Sequence, residues 1–259
     1  ERYWLRFMAA SSLANKRILV VRPLREQDAF LALLEQSGAA VTYTPVMHIE
    51  PVTETQPIEN LILEFAQFDM AIFISANAAE IALQWLDQYW PMLPVDLELF
   101  AVGQQTAQIL TQYGCQVTCP QTQQNTEGLL ELAQLNSLAG KSLVIFRGGG
   151  GRQTLGDTLQ QRGANVTYCE LYNRVIQPDK LLLAQRQAQD IDCLIVHSGE
   201  LLRAMAEPAD ASIPVVVPSE RVADMARQLG YQTTVVADNA LPESMHRAVL
   251  GYFKAAEKA

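Results

Sequence analysis

The chain has 259 residues, 49% of them apolar and 18% charged, and a net charge of −9. That length suits two domains of ordinary size rather than one core, and the composition excludes long disorder. The acidic excess disfavours a nucleic-acid partner, which needs a basic face, and the longest apolar runs, such as Ile18–Val21, are too short to cross a bilayer.

In chain order, residues 1–14 read as an extension outside the fold, either a short native segment or a remnant ahead of a natural start at Met8. They carry no charged-then-apolar leader pattern, so a cytoplasmic location is expected. Ile18–Val21 is a four-residue apolar strand ending in Arg22. A helix with Phe30, Leu33 and Leu34 at helical spacing follows, then Gly38 where a left-handed cap belongs, then a strand at Val41–Tyr43. Asp69–Ile74 is a strand running into a helix led by Ser75. Leu99–Val102 and Gly103 precede a helix at Thr106–Tyr113, with a strand at Gln116–Cys119 and a helix at Thr126–Gln134 beyond it. Leu143–Phe146 ends in Arg147 and opens the pattern again, through Leu155, Leu159, Gly163 and Val166–Tyr168. Asp192–His197 runs into Ser198, Val215–Val217 leads to Ser219 and the helix Arg221–Leu229, and a strand (Gln232–Ala237) and a helix (Pro242–Lys254) close the chain.

The order contains a duplication. An offset of 125 carries Arg22 onto Arg147, Gly38-Ala39 onto Gly163-Ala164, and Val41-Thr42-Tyr43 onto Val166-Thr167-Tyr168. Strands alternating with helices mean parallel βαβ units, and about five strands per half suit two doubly wound, flavodoxin-like α/β domains. Pro45–Pro51 and Leu171–Pro178 fall at equivalent points of the repeat and fit a two-stranded ribbon joining the halves. The residues alone leave open whether each repeat folds by itself or the chain crosses over.

In such sheets ligands sit beyond the carboxyl ends of the strands. The residues expected there are Arg22, Ser75, Asn77, Gly103, Thr106, Arg147, Gly148, Ser198, Gly199 and Ser219. Two such rims suggest a clamshell with one ligand. Arg147-Gly148-Gly149-Gly150-Gly151-Arg152 is a glycine-rich turn at a helix start, where backbone N–H groups and arginines favour a carboxylate. The dinucleotide spacing G-x-G-x-x-G is absent, since Gln153 or Thr154 stands at its third position. Ser75, Ser198, Ser219 and Thr106 equally fit plain helix caps. Tyr172 is a neutral hydroxyl donor on the return connection, and no paired carboxylates or Ser-His-Asp ordering compete with it. Four cysteines without a C-x-x-C pair and three scattered histidines give no metal site and read as reduced thiols. A non-catalytic clamshell binding a small anionic ligand fits the same residues.

Several passages together resemble the uroporphyrinogen-III synthases: Ile18–Pro23, Phe100–Gly103 with Thr106-Ala107, Arg147–Arg152 through Leu159, Cys169-Glu170 with Tyr172, Val216–Arg221 and Val236–Ala240. The resemblance spans about Lys16 to Leu250. It implies that the chain crosses over, with one domain from 15–46 and 174–259, the other from 51–170, and linkers at 47–50 and 171–173. It implies the substrate hydroxymethylbilane, handed on by the preceding deaminase, a monomer, and a lyase reaction without cofactor or metal in tetrapyrrole (haem or sirohaem) biosynthesis. By the same resemblance Tyr172 is the catalytic acid, and Gly149, Arg152 and the rim residues above contact substrate.

Overall fold

A computed structural model describes residues 12–23 and 28–256. The reading of residues 1–11 as an extension lies outside the described residues. Leu13, two residues ahead of the expected start of the first domain, is fully buried and donates its N–H to the Ser37 carbonyl at 2.9 Å.

The strands are β1 (Arg17–Pro23), β2 (Ala40–Pro51), β3 (Met70–Phe73), β4 (Glu98–Ala101), β5 (Val117–Thr118), β6 (Ser142–Gly148), β7 (Asn165–Ile176), β8 (Cys193–Val196), β9 (Val215–Val217) and β10 (Thr234–Val236). The helices are α1 (Ala29–Gln36), α2 (Gln56–Leu63), α3 (Ala76–Tyr89), α4 (Gln104–Gln112), α5 (Thr126–Leu130), α6 (Thr154–Gln161), α7 (Pro178–Gln187), α8 (Gly199–Met205), α9 (Glu220–Gln228) and α10 (Pro242–Ala256).

Two compact units divide the chain. One holds the described residues up to His48 and from Val175 onward; the other is Ile49–Arg174. In the first unit the strand order is β2-β1-β8-β9-β10, and in the second β7-β6-β3-β4-β5. The strand pairs within these orders are parallel. The first order is the flavodoxin-like 2-1-3-4-5. The second is the same order once β6 and β7 are matched to β1 and β2, so the repeat is circularly permuted in the second unit.

The duplication holds at single-residue register. Arg17 pairs with Ala40 and Val21 with Thr44 in β1/β2, and the offset of 125 turns these into Ser142 with Asn165 and Phe146 with Cys169 in β6/β7. Even the irregularity is shared: past Val21, Pro23 pairs with Met47, and past Arg147, Gly148 pairs with Tyr172. An extra residue in one strand kinks the ladder there and re-aims the side chains beyond it.

Both faces of each sheet are buried, as a parallel sheet requires. In the second unit Ala71, Phe73, Val144 and Phe146 pack one face with α2, α3 and α4, while Met70, Ile72, Leu143 and Ile145 pack the other with α5 and α6. Phe73 stacks on Phe146 with centroids 4.9 Å apart. Truncating Phe146 to alanine should cost about 3–5 kcal/mol. In the first unit Leu19, Val21, Leu194 and Val196 pack against α7, α8 and α9, and Ile18, Val20 and Ile195 against α1 and α10. Strand alternation of period two sends these neighbours to opposite faces.

Two helices have no counterpart in the sequence reading, α2 and α7; each starts with proline in its first turn. The strands β2 and β7 continue through both connections. Gln177 N–H donates to the Val46 carbonyl at 2.8 Å within the first unit, and Val52 N–H to the Leu171 carbonyl at 3.2 Å within the second. Leu171 and Tyr172, assigned by sequence to a connecting ribbon, are strand residues buried in the second unit's core. No helix among the described residues is long and apolar enough to cross a membrane.

Candidate active site

Parallel strands deliver their carboxyl ends, and the helix starts that follow, to one edge of each unit. At that edge of the second unit, β3 passes through Ile74 to Ser75, whose Oγ caps α3 by accepting from Ala78 N–H at 3.0 Å. β6 ends at Gly148, beside Tyr172 of β7.

The shared irregularity makes this pairing close. A Cβ on Gly148 would lie 2.5 Å from Cε2 of Tyr172, so only glycine leaves room for the ring. Gly149 N–H donates to the Tyr172 carbonyl at 2.7 Å. Tyr172 has no exposed surface. Its hydroxyl lies 2.9 Å from Ser75 Oγ and receives Nη2 of Arg174 at 3.4 Å, and the Arg174 guanidinium stands 5.6 Å from the ring centroid. The structure thus brings together Tyr172, Ser75, Gly148 and Gly149. Sequence reading missed Arg174, although strand period places residues 172 and 174 on one face.

Two arginines do not stand where the sequence put them. Arg147 was expected to grip carboxylates, but it is buried and turned inward. Its guanidinium donates to the carbonyls of Gly148, Gly151 and Arg152, pairs with Glu170 at 3.3 Å, and stacks 4.6 Å from the Tyr168 centroid. It holds the glycine loop in shape. Arg22, at the repeat-equivalent position, is equally buried and pairs with Asp28 at 2.8 Å; Asp28 in turn caps α1 through Phe30 N–H. A buried guanidinium needs partners for its charge, and residues of its own loop supply them. The loop cation left exposed is Arg152, whose carbonyl accepts from Arg147. Gly150 sits at φ +66° in that turn, the left-handed region that favours glycine.

Thr106 was expected at the rim and is instead buried in the first turn of α4. The position that starts α4 is Gly103, where a Cβ would come within 3.0 Å of Gln124, and Gln124 Oε1 accepts from Gln104 N–H at 3.0 Å. Asn77 is exposed in the first turn of α3.

In the first unit Ser198 caps α8, accepting from Leu201 N–H at 3.3 Å. Gly199 is buried against Met225, which a Cβ there would approach to 2.8 Å. Ser219 begins α9 without capping it through its side chain. The exposed Arg221 follows, Nη1 lying 3.9 Å from Met225 Sδ. The register equivalent of Tyr172 here is Met47, buried and without a hydroxyl, so the donor exists in one repeat alone.

Residues 28–247 match a family model described as uroporphyrinogen-III synthase HemD. The uroporphyrinogen-III synthase of Escherichia coli K12 is 35% identical over 246 residues, which cover 90% of this chain and 99% of that protein. The enzyme of the same name from Salmonella typhimurium LT2 is 32% identical over the same shares. Among solved structures, a mutant uroporphyrinogen III synthase from the extremely thermophilic bacterium Thermus thermophilus aligns over 93% of this chain and 99% of its own with a TM-score of 0.66 at 17% identity. The Helicobacter pylori 26695 structure of the corresponding synthetase aligns over 92% and 99% with a TM-score of 0.57 at 14% identity. These two support the fold.

Proposed function

The chain belongs to the uroporphyrinogen-III synthase family, and on that premise we propose that it closes hydroxymethylbilane into uroporphyrinogen III, losing water and inverting ring D, with its chemistry at the carboxyl edge of the second unit. The match over residues 28–247 carries this reading.

Loss of the terminal hydroxyl leaves an electrophilic azafulvene, and the departing oxygen needs a proton. Tyr172 is the source of that proton, with its hydroxyl on Ser75 at the edge where α3 begins. The last pyrrole then attacks through its already substituted carbon. The spiro intermediate fragments and recloses with that ring turned over. Because the unguided bilane closes without inversion, most of the protein's work is to hold one folded conformer.

At the edge of the second unit the acetate and propionate groups are taken by the turns at Gly103 and at Gly148-Gly149, by the side chain of Asn77 and by the exposed guanidinium of Arg152, and the edge of the first unit offers the helix starts at Gly199 and Ser219. Ser198, whose oxygen caps α8, still has its own proton to donate. In the first unit the exposed Arg221 stands in for the inward-turned Arg22, as in the second Arg152 stands in for Arg147. An acidic protein that binds a polycarboxylate must gather its exposed cations at the site. The bilane cyclises unaided, which favours direct receipt from the deaminase that makes it, and one chain suffices as a monomer. Four free cysteines suit the reducing cytoplasm.

Wild-type protein mixed with enzymatically generated hydroxymethylbilane should consume it faster than the spontaneous reaction. Binding that leaves the consumption rate unchanged would instead identify a domain that merely holds an anion.

A further inference from the structure

We propose that Ser75, and not Tyr172, touches the leaving hydroxyl, as the outer end of a one-way hydrogen-bond chain running from Arg174 through Tyr172 to Ser75. This rests on the reading above and concerns how its proton is delivered.

The direction of the chain follows from what each group can donate. A guanidinium has donors and no acceptor, so in the 3.4 Å contact Arg174 donates and Tyr172 Oη accepts. The Tyr172 proton must then find its own acceptor. Among the described residues, Ser75 Oγ, 2.9 Å away, is the acceptor within reach. Tyr172 is fully buried, and a buried O–H left without an acceptor forfeits the hydrogen bond it would make with water. Tyr172 therefore donates to Ser75. Ser75 Oγ already accepts Ala78 N–H at 3.0 Å, so both of its lone pairs are filled and its own O–H is the donor left over. Ser75 is half-buried whereas Tyr172 has no exposed surface. The proton that can reach a bound substrate is the serine's.

The step balances. Ser75 gives its proton to the leaving oxygen as the C–O bond breaks and its electron pair departs with the water. Tyr172 refills Ser75, and the negative charge rests on Tyr172 Oη beside the Arg174 cation. When the ring closes, the proton shed by the pyrrole carbon that forms the closing bond returns along the same chain. Ser75 is thus the catalytic contact, and Tyr172 and Arg174 act through it.

The test is a set of double-variant comparisons, reading kcat and KM separately. Ser75→Ala should lower kcat about 100-fold, the lower end of what a positioned acid contributes, with KM little changed. Tyr172→Phe should lower it by less. The double variant should be no slower than Ser75→Ala alone, because both changes cut one chain. Arg174→Gln should slow the wild type several-fold yet have no effect in the Tyr172→Phe background, where no charge forms on the ring; a guanidinium that only gripped a carboxylate would raise KM in both. Ser75→Thr keeps the cap and the hydroxyl and should regain much of the lost turnover, with thermal unfolding confirming that each variant is folded. Ser75→Ala turning over like wild type, multiplicative losses in the double variant, or a folded Ser75→Thr as slow as Ser75→Ala would each overturn the chain. Wild-type protein that makes no uroporphyrinogen would overturn the functional reading itself, a different failure.

Discussion

Gly148 and Tyr172 show how one missing side chain sets the site. Both are buried, and the Cβ of Gly148→Ala would sit 2.5 Å from the tyrosine ring. The ring must move, and its hydroxyl leaves Ser75. We expect about 1–3 kcal/mol of lost stability, the usual cost of overpacking, together with a fall in turnover as large as that of Tyr172→Phe. Calorimetry and steady-state kinetics on the variant check both. His246 is a second residue-scale case. Its Nε2 lies 2.8 Å from Ser37 Oγ, and burial holds the imidazole below its ordinary value. As pH falls through the ordinary value near 6.5, the unfolded chain takes up this proton before the folded one. The stability that His246 contributes is therefore complete above that pH and lost as pH falls through the lower folded-state value. The unfolding midpoint should drop between pH ~7.5 and ~5.5, and His246→Gln should flatten that drop. Arg22 and Arg147 were legible as repeat-equivalent residues at strand ends. Their inward turn was not, because it depends on carbonyls and carboxylates that only the folded loops bring near, such as Asp28 and Glu170.

At the scale of elements, the strand pairs β1/β2 and β6/β7 repeat their register and their irregularity at one offset. Apolar runs ending in arginine and left-handed glycines at Gly38 and Gly163 made those elements readable. The helices α2 and α7 were not. α2 has no side-chain cap hydrogen bond at Thr55, and α7 buries Ala184 while leaving Leu182 and Leu183 exposed, so its apolar pattern points the wrong way. Helix α6 is latched to β7 by Tyr168, whose hydroxyl donates to the Gln153 carbonyl at 3.2 Å. A Cβ on Gly156 would fall 1.9 Å from that hydroxyl. Gly156→Ala should free Tyr168 from both Gln153 and Arg147, lower the unfolding midpoint, and loosen the 148–152 loop. Faster amide exchange confined to that loop and to α6 would bear this out; wild-type exchange would refute it.

For the whole molecule, two units of the same strand order carry unequal chemistry. Met47 holds the place in the first that Tyr172 holds in the second, so the two units share a scaffold and one of the two strands carries the donor. The permuted connection through β2 and β7 was visible in sequence as two equivalent connections, but the choice between crossing over and folding separately was carried by family resemblance rather than by any residue pattern. The central claim is that this chain imposes one folded conformer on a flexible bilane before it closes. The isomer composition of the product reads that directly. Hydroxymethylbilane supplied in the presence of the wild-type protein should emerge as uroporphyrinogen III with ring D inverted, and product consisting of the uninverted type I macrocycle alone would contradict the account.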